Sequence, residues 1–247
     1  MFPLRDHNPS EQTPVVTITL IVANVLIFLV SLPYFASEQQ LMAFFYDWAL
    51  IPAAISQGEA LPGLFTSMFL HGGFLHLGGN MLFLWIFGDN LEEEMGHGGF
   101  LGFYLACGIL SALAHVVAAP ASPVPTVGAS GAIAGVMGGY LLLYPKARVD
   151  VLLIFGFFIR VVPVPAFLML GVWFVIQLLG GSAADSMTGG VAYWAHAGGF
   201  VAGLALAVPV WLRRGAVAYW NRTQGTPPHP EARYQRSPVP LVRRKRR

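Results

Sequence analysis

The residues of this chain that could carry out chemistry are one serine and a few polar side chains in apolar surroundings. Ser130 lies in the motif GASG, and His196 lies in the motif AHAGG. An imidazole beside a hydroxyl is the minimum for nucleophilic acyl transfer, because it accepts the hydroxyl proton during attack and returns it to the leaving group. We therefore predict that Ser130 and His196 form a catalytic dyad.

Acyl transfer also needs hydrogen-bond donors at the place where the oxyanion develops. His76 and Asn80 are four residues apart, so both can lie on one face of a helix. The backbone N–H of Ser130 is a third donor, because it opens a predicted helix whose dipole favours an anion. The predicted oxyanion hole therefore consists of His76, Asn80 and Ser130.

The small residues around the predicted dyad have a simpler interpretation, which is helix packing. In lipid, glycines and serines at four-residue spacing let helices approach closely. Gly131 and Gly135 follow the serine, while Gly199 and Gly203 lie on the same helical face as the histidine. We expect these glycines to bring the two helices into direct contact, which would place the hydroxyl within hydrogen-bonding distance of the imidazole.

The composition is that of a polytopic membrane protein. Of the 247 residues, 55% are hydrophobic and only 11% are charged, which is too apolar for an ordinary soluble domain. The single cysteine, Cys107, excludes a disulfide framework and a thiolate metal cluster. The net charge of +2, with no basic stripe outside the C-terminus, argues against a nucleic-acid partner.

Six segments are long and apolar enough to cross a bilayer, which needs about 20 apolar residues per helix. They are Val15–Leu32, Phe69–Gly88, Phe100–Ala118, Gly128–Tyr144, Pro163–Leu179 and Tyr193–Leu212. We therefore predict an all-α membrane domain over residues 15–212. Residues 1–14 are predicted to be a cytoplasmic N-terminus, and residues 213–247 are predicted to be a basic, disordered cytoplasmic tail.

For three of the connections between these spans, the sequence predicts whether they lie at the membrane surface or in water. The aromatic segment Pro33–Met68 is expected to lie in the membrane interface. An arginine at the bilayer centre costs about 3 kcal/mol, so Arg160 is expected at the membrane surface. The run Val149–Arg160 is then expected to lie along that surface, and Pro163 to open the fifth span. The acidic run Glu92–Glu94 is expected to form a solvated turn.

The basic residues predict the orientation in the membrane. With six spans, both termini lie on one side, and all 14 Lys and Arg residues fall on that side. The positive-inside rule makes it the cytoplasm. Ser130, His196 and His76 then lie toward the extracytoplasmic side of the membrane, which we expect to be a bacterial cytoplasmic membrane.

Other polar residues in the spans suggest weaker hypotheses. His71 is expected to cap a helix or to order the loop before it, and His115 to be structural. A metal site on His71, His76 and His196 is disfavoured, because no H-E-x-x-H pattern and no further carboxylate or thiolate ligand is found. We expect neither a metal nor a cofactor. Isolated serines, threonines and a glutamine in the spans are not counted among the candidate functional residues. A proton-coupled transporter would need acidic residues within the spans, which the sequence lacks.

Three motifs, in this order on spans two, four and six, carry a resemblance to a known family. They are HGGFLHLGGN (His71–Asn80), GASG (Gly128–Gly131) and AHAGG (Ala195–Gly199). Together they resemble the rhomboid intramembrane serine proteases over about Val15–Leu212. The resemblance implies the six-helix rhomboid fold and the dyad and oxyanion hole named above. It also implies hydrolysis of peptide bonds in or near transmembrane segments of other membrane proteins.

The chain departs from the family pattern at two places. Many members carry an aromatic residue four positions after the serine, stacked on the histidine, where this chain has Ala134. We expect another aromatic side chain, Phe200 or Tyr104, to support the ring instead. The first loop also lacks the Trp-Arg pair of some members. An inactive rhomboid-like protein that binds transmembrane helices is an alternative, which the intact Ser130 and His196 disfavour.

Overall fold

Helices make up most of the chain in the computed structural model, which describes residues 2–8, 10–155, 158–185, 187 and 190–226. The helices are α1 (Val15–Ser31), α2 (Glu38–Trp48), α3 (Pro52–Ser56), α4 (Gly63–Thr66), α5 (Phe74–Ala118), α6 (Ser130–Leu143), α7 (Ala166–Ala183), α8 (Tyr193–Arg213) and α9 (Val217–Thr223). The strands are β1 (Phe2–Asp6), β2 (Arg148–Phe155) and β3 (Phe158–Pro165). By length and composition, α1, α5, α7 and α8 could each cross a membrane, and α6 is a shorter apolar helix. The predicted helical membrane protein is confirmed, and the number of six crossings stays a prediction.

Helix α5 is too long for a single crossing and reverses direction near its middle. Its 45 residues would extend about 65 Å if straight, twice the apolar thickness of a bilayer. Gly96 interrupts it with φ 71° and ψ 161°, a conformation that side-chain-bearing residues avoid. Leu91 and Phe103, on either side of this break, both lie against Gly139 of α6. A Cβ at Gly139 would be 2.9 Å from the side chain of Leu91 and 3.0 Å from that of Phe103. The two halves of α5 therefore lie side by side, where the second and third spans were predicted.

Helices α6 and α8 run parallel, and their backbones are in contact. A Cβ at Gly199 would overlap the carbonyl oxygen of Gly131, and a Cβ at Gly203 would overlap that of Gly135. Only glycine fits at these two positions of α8 without a shift of the backbone. The N-terminal ends of the two helices consequently lie together at one end of the bundle.

Two glycines of α6, Gly131 and Gly135, also leave room for side chains of α5. A Cβ at Gly131 or Gly135 would overlap Ser111 or Cys107 in the second half of α5, rather than a side chain of α8. Gly199 and Gly203 of α8 thus meet the backbone of α6, whereas Gly131 and Gly135 of α6 also admit side chains of α5. Cys107 fills this space and is buried.

A three-stranded sheet lies where the sequence predicted a segment along the membrane surface. Strands β2 and β3 pair antiparallel from Arg148 opposite Pro165 to Phe155 opposite Phe158, and β1 pairs with the other edge of β2. Valine and isoleucine are frequent in both strands of the hairpin, which favours strands over helix. Because β3 pairs through Pro165, α7 begins at Ala166 and not at Pro163 as predicted. Arg160 is exposed, as expected of a surface position.

The acidic run at the end of the first half of α5, just before Gly96, is not a solvated turn, so that prediction is wrong for its first member. Glu92 is only 2% exposed, and its carboxylate accepts hydrogen bonds from the backbone N–H groups of Val16 and Thr17 at 2.7 and 2.8 Å. Pro14 precedes α1 and provides no side-chain cap. Glu92 therefore satisfies the free N–H groups at the start of α1 from a neighbouring helix. Glu94 forms an ion pair with Arg214 at 2.7 Å.

The part of the predicted tail that the structure describes contains the short helix α9. In α9, Trp220 donates a hydrogen bond to the carbonyl of Leu142 at 3.0 Å, and its ring lies 4.8 Å from that of Trp211. This short helix therefore packs back on α6 and α8. Residues 227–247 lie outside the described residues, so the disorder predicted for the tail stays a prediction.

Asp6 connects the sheet to the helices. Its Oδ2 accepts hydrogen bonds from the hydroxyl of Tyr140 and from the amide of Asn90, both at 2.9 Å. Arg5 and His7, its neighbours in sequence, contact Asp150 on β2 at 2.8 and 2.7 Å. Burial raises the pKa of Asp6 from 3.8 to about 6, and these hydrogen bonds offset only part of that effect.

The contact between α6 and α8 predicts the effect of one added methyl group. Gly203→Ala should lower the thermal unfolding midpoint in detergent, because the overlap with Gly135 forces the helices apart at a cost of about 1 to 3 kcal/mol. Gly102→Ala is the matched control, since a Cβ there meets nothing within 4 Å. It should leave the midpoint unchanged or raise it, because alanine favours helix over glycine by about 0.5 to 1 kcal/mol. Equal effects of the two substitutions would contradict the packing described.

The raised pKa of Asp6 predicts a component of stability that depends on pH. The folded state binds this proton more tightly than the unfolded chain, so stability is lost as the pH rises from about 4 to about 6 and is constant above. Asp6→Asn removes this component. Unfolding of both proteins at pH 4 and pH 8 should show the variant gaining on the order of 2 kcal/mol relative to wild type at the higher pH. Asp47→Asn, at an exposed position of α2, should show no such gain; an equal gain there would disprove the assignment.

Candidate active site

The parallel arrangement of α6 and α8 brings Ser130 and His196 together. Ser130 is the first residue of α6, and His196 lies in the first turn of α8. The hydroxyl oxygen of Ser130 lies 2.8 Å from Nε2 of His196. Next to this pair, the hydroxyl of Ser111 donates a hydrogen bond of 2.7 Å to the carbonyl of Ala195, which joins the first turn of α8 to α5.

The first glycine of the GASG motif allows His76 to approach Ser130. Gly128 has φ +132°, and a Cβ there would lie 2.8 Å from Nε2 of His76 and 3.5 Å from the hydroxyl of Ser130. Its backbone N–H donates a hydrogen bond of 2.9 Å to the carbonyl of Ser67. A side chain at this position would therefore separate the imidazole from the serine.

His76 and Asn80 both lie near the start of α5 and present hydrogen-bond donors. The N–H of Gly72 approaches Nδ1 of His76 at 3.5 Å, a long contact that favours a proton on Nε2. Asn80 is buried, and its amide nitrogen has no hydrogen-bond partner among the described residues. Such a donor is costly to bury unless a ligand or reaction intermediate uses it.

One cavity of about 490 Å³ connects these groups. It is lined by Ser130, His196, His76 and Asn80, and otherwise mainly by apolar side chains such as Phe83. A few polar groups that converge in an apolar cavity are typical of a binding site. The arrangement offers a nucleophile, a proton acceptor beside it and donors for a developing negative charge.

His71 and His115 are not among the residues that line this cavity. His71 is buried behind His76, with their ring centroids 5.2 Å apart and an angle of 66° between the planes. Helix α5 begins after it, at Phe74. His115 has its Nε2 3.2 Å from the hydroxyl of Thr126 and lines a separate, smaller cavity of about 240 Å³.

The comparison with known proteins agrees with the motifs. A family model described as the rhomboid domain matches residues 58–213, which include the serine, both histidines of the cavity and the asparagine. The chain belongs to the rhomboid family. The resemblance predicted from the three motifs is thereby confirmed.

Two curated relatives of this rhomboid show how far the similarity extends. Rhomboid protease GluP of Bacillus subtilis is 37% identical over 155 residues, which are 63% of this chain and 28% of that protein. Rhomboid protein 1, mitochondrial, of Saccharomyces cerevisiae is 35% identical over 145 residues, which are 56% of this chain and 38% of that protein. The chain thus covers less than two fifths of either relative.

The second ring nitrogen of His196 has a partner on α7 of this rhomboid. Nδ1 lies 2.8 Å from Oε1 of Gln177. The ring of Trp173, one turn earlier on α7, lies 5.8 Å from the imidazole with an angle of 32° between the planes. Both partners were missed by the sequence analysis, although a polar and an aromatic side chain four residues apart in one span are a recognisable pair.

The aromatic support of the imidazole therefore differs from the one expected. Phe200 stacks on Phe174 at 4.8 Å and lies 6.0 Å from Trp173. It therefore packs near the ring of Trp173, and not on the imidazole of His196. Tyr104 is fully buried and packs 6.5 Å from Phe100, in the second half of α5. The ring beside the histidine comes from α7, a helix for which the sequence analysis named no functional residue.

Proposed function

We propose that this rhomboid is an intramembrane serine endopeptidase that cleaves peptide bonds in or near transmembrane segments of membrane proteins. The observation that carries the proposal is the 2.8 Å distance between the hydroxyl of Ser130 and Nε2 of His196. Family membership supports it, as does the relative from Bacillus subtilis whose name describes it as a rhomboid protease.

In the proposed mechanism, Ser130 attacks the carbonyl carbon of the scissile peptide bond while its proton moves to Nε2 of His196. The tetrahedral intermediate collapses when the imidazolium returns this proton to the leaving amine, and the C–N bond breaks. This leaves an ester between Ser130 and the acyl half of the substrate. Water then attacks the ester, with the same imidazole accepting and returning a proton, and releases the carboxylate product.

The oxyanion of both intermediates needs donors that are in place before the reaction. The amide of Asn80, Nε2 of His76 and the backbone N–H of Ser130 all border the same cavity. The N–H of Ser130 is one of the four at the start of α6 that have no partner within the helix. We propose that these three groups bind the oxyanion, while the apolar lining excludes water and strengthens each bond.

The proposed orientation puts the cavity on the extracytoplasmic side of the membrane. The cavity lies at the N-terminal ends of α6 and α8, while Tyr140 near the other end of α6 contacts the sheet through Asp6. The sheet carries exposed basic residues, Arg5, Arg148 and Arg160. The positive-inside rule supports a cytoplasmic location for this end and for both termini, in a bacterial cytoplasmic membrane. The partners are then single- or multi-span substrates in the same bilayer.

Cleavage of a single-span substrate in proteoliposomes tests the dyad. Wild type should cleave it, and Ser130→Ala and His196→Ala should each lose at least about a thousandfold in turnover, because either change removes the nucleophile or its base. Ser182→Ala, at an exposed position of α7, should keep full activity. Full activity in either dyad variant would refute the assignment. A wild type that neither cleaves nor reacts with a fluorophosphonate would indicate an inactive member that only binds helices.

Turnover of an Asn80 variant tests the oxyanion hole. Asn80→Ala should lower kcat by about tenfold to a hundredfold, with a small change in KM, because the amide acts on charge that develops only during the reaction. Gly78→Ala, two residues earlier where a Cβ meets nothing within 4 Å, is the control and should behave like wild type. Unchanged kcat in the Asn80 variant would remove that residue from the proposed site.

A further inference from the structure

We propose that Gln177 of α7 is a positioning residue that holds His196 in the tautomer able to accept the proton of Ser130. The inference rests on the proposed function for its consequence in catalysis. Its structural content, which is the location of one proton on the imidazole, does not require activity and can be measured separately.

The position of Gln177 leaves its side chain few alternatives. It is only 5% exposed, although it lies on a helix most of whose neighbouring residues are exposed. Its Oε1 lies 2.8 Å from Nδ1 of His196. Its Nε2 donates a hydrogen bond of 3.2 Å to the backbone carbonyl of Trp173 on the same helix.

The carbonyl of Trp173 determines which way the amide of Gln177 faces. A backbone carbonyl can only accept a hydrogen bond, so it selects the NH2 end of the amide and turns the oxygen toward the imidazole. The reverse orientation would place two oxygen atoms against each other and leave the amide hydrogen atoms without this acceptor. A buried amide that loses its partner in this way costs about 1 to 3 kcal/mol.

The orientation of the amide then determines the tautomer of the imidazole. An amide oxygen only accepts, so Nδ1 of His196 must carry the proton that lies between them. A neutral imidazole with its proton on Nδ1 has a free lone pair on Nε2. That lone pair faces the hydroxyl of Ser130 at 2.8 Å and is the one that must accept its proton. The other tautomer would present an N–H to the serine and could not act as the base.

The four groups form a continuous chain of hydrogen bonds with one direction. The hydroxyl of Ser130 donates to His196, whose Nδ1–H donates to Gln177, whose NH2 donates to the carbonyl of Trp173. After proton transfer the imidazolium keeps its bond to the amide oxygen, so the ring stays oriented while it holds the extra proton. Gln177 thus takes the place that a carboxylate has in a three-residue site, without adding a charge to the bilayer.

Nitrogen-15 NMR of histidine-labelled protein in micelles tests the tautomer directly. The chain has seven histidines, and His196→Asn identifies the signal of interest. In wild type at neutral pH, Nδ1 of His196 should be protonated and Nε2 not. Gln177→Met, which keeps the length of the side chain but lacks the acceptor, should yield a mixture of both tautomers. Gln177→Glu retains an acceptor oxygen and should restore the proton on Nδ1.

Kinetics of the same variants in proteoliposomes test the consequence. Gln177→Met should lower kcat at least about tenfold with KM little changed, and Gln177→Glu should recover most of it. Gln40→Met, at an exposed position of α2, is the control and should match wild type in both experiments. A thermal unfolding midpoint close to that of wild type shows that the Gln177 variants are folded.

The outcomes separate the two proposals. An unchanged tautomer in Gln177→Met overturns the positioning role, whatever the activity, as does a loss of kcat that Gln177→Glu does not recover. A tautomer that shifts as expected in a protein that cleaves nothing supports the positioning role and contradicts the proposed protease.

Discussion

Everything at the candidate site depends on the direct backbone contact between α6 and α8. Gly199 and Gly203 lie against the carbonyl oxygens of Gly131 and Gly135, so the distance between the two helix axes is set by the absence of side chains. In lipid such contacts are stabilised by van der Waals packing rather than by the removal of apolar surface from water. A serine at the start of one helix then lies at hydrogen-bonding distance from a histidine in the first turn of the other.

The two ends of the bundle are stabilised by different interactions. At the sheet end, carboxylates join separate elements: Glu92 caps α1, and Asp6 connects β1 to α5 and α6. At the cavity end, the amide nitrogen of Asn80 has no partner among the residues described. Polar groups that bind one another give stability, whereas a donor held without a partner costs stability and is available for a reaction intermediate.

The parts of the site that could be predicted are those encoded by spacing within one helix. His76 and Asn80 are four residues apart, and the positions of Ser130 and His196 at helix starts follow from the ends of the apolar runs. Contacts between helices that lack a small-residue pattern could not be predicted. The sequence shows that Gln177 is a polar residue in an apolar span, but not which helix its side chain faces. Glu92 has the sequence surroundings of a solvated turn, and its role is evident only when the start of α1 is known to lie beside it. The hairpin was missed because a short apolar run suits a strand and a membrane surface equally.

The small residue at Ala134 and the aromatic support from α7 are parts of one arrangement. Ala134 is fully buried inside a helix that touches α8 along its backbone. The imidazole of His196 instead receives its aromatic neighbour and its second hydrogen bond from a single helix face, through Trp173 and Gln177. The contact with Ser130 is therefore held by rigid backbone, while the orientation of the ring is held by two side chains of α7. A displacement of α7 would release the orientation of the imidazole without changing the distance between α6 and α8.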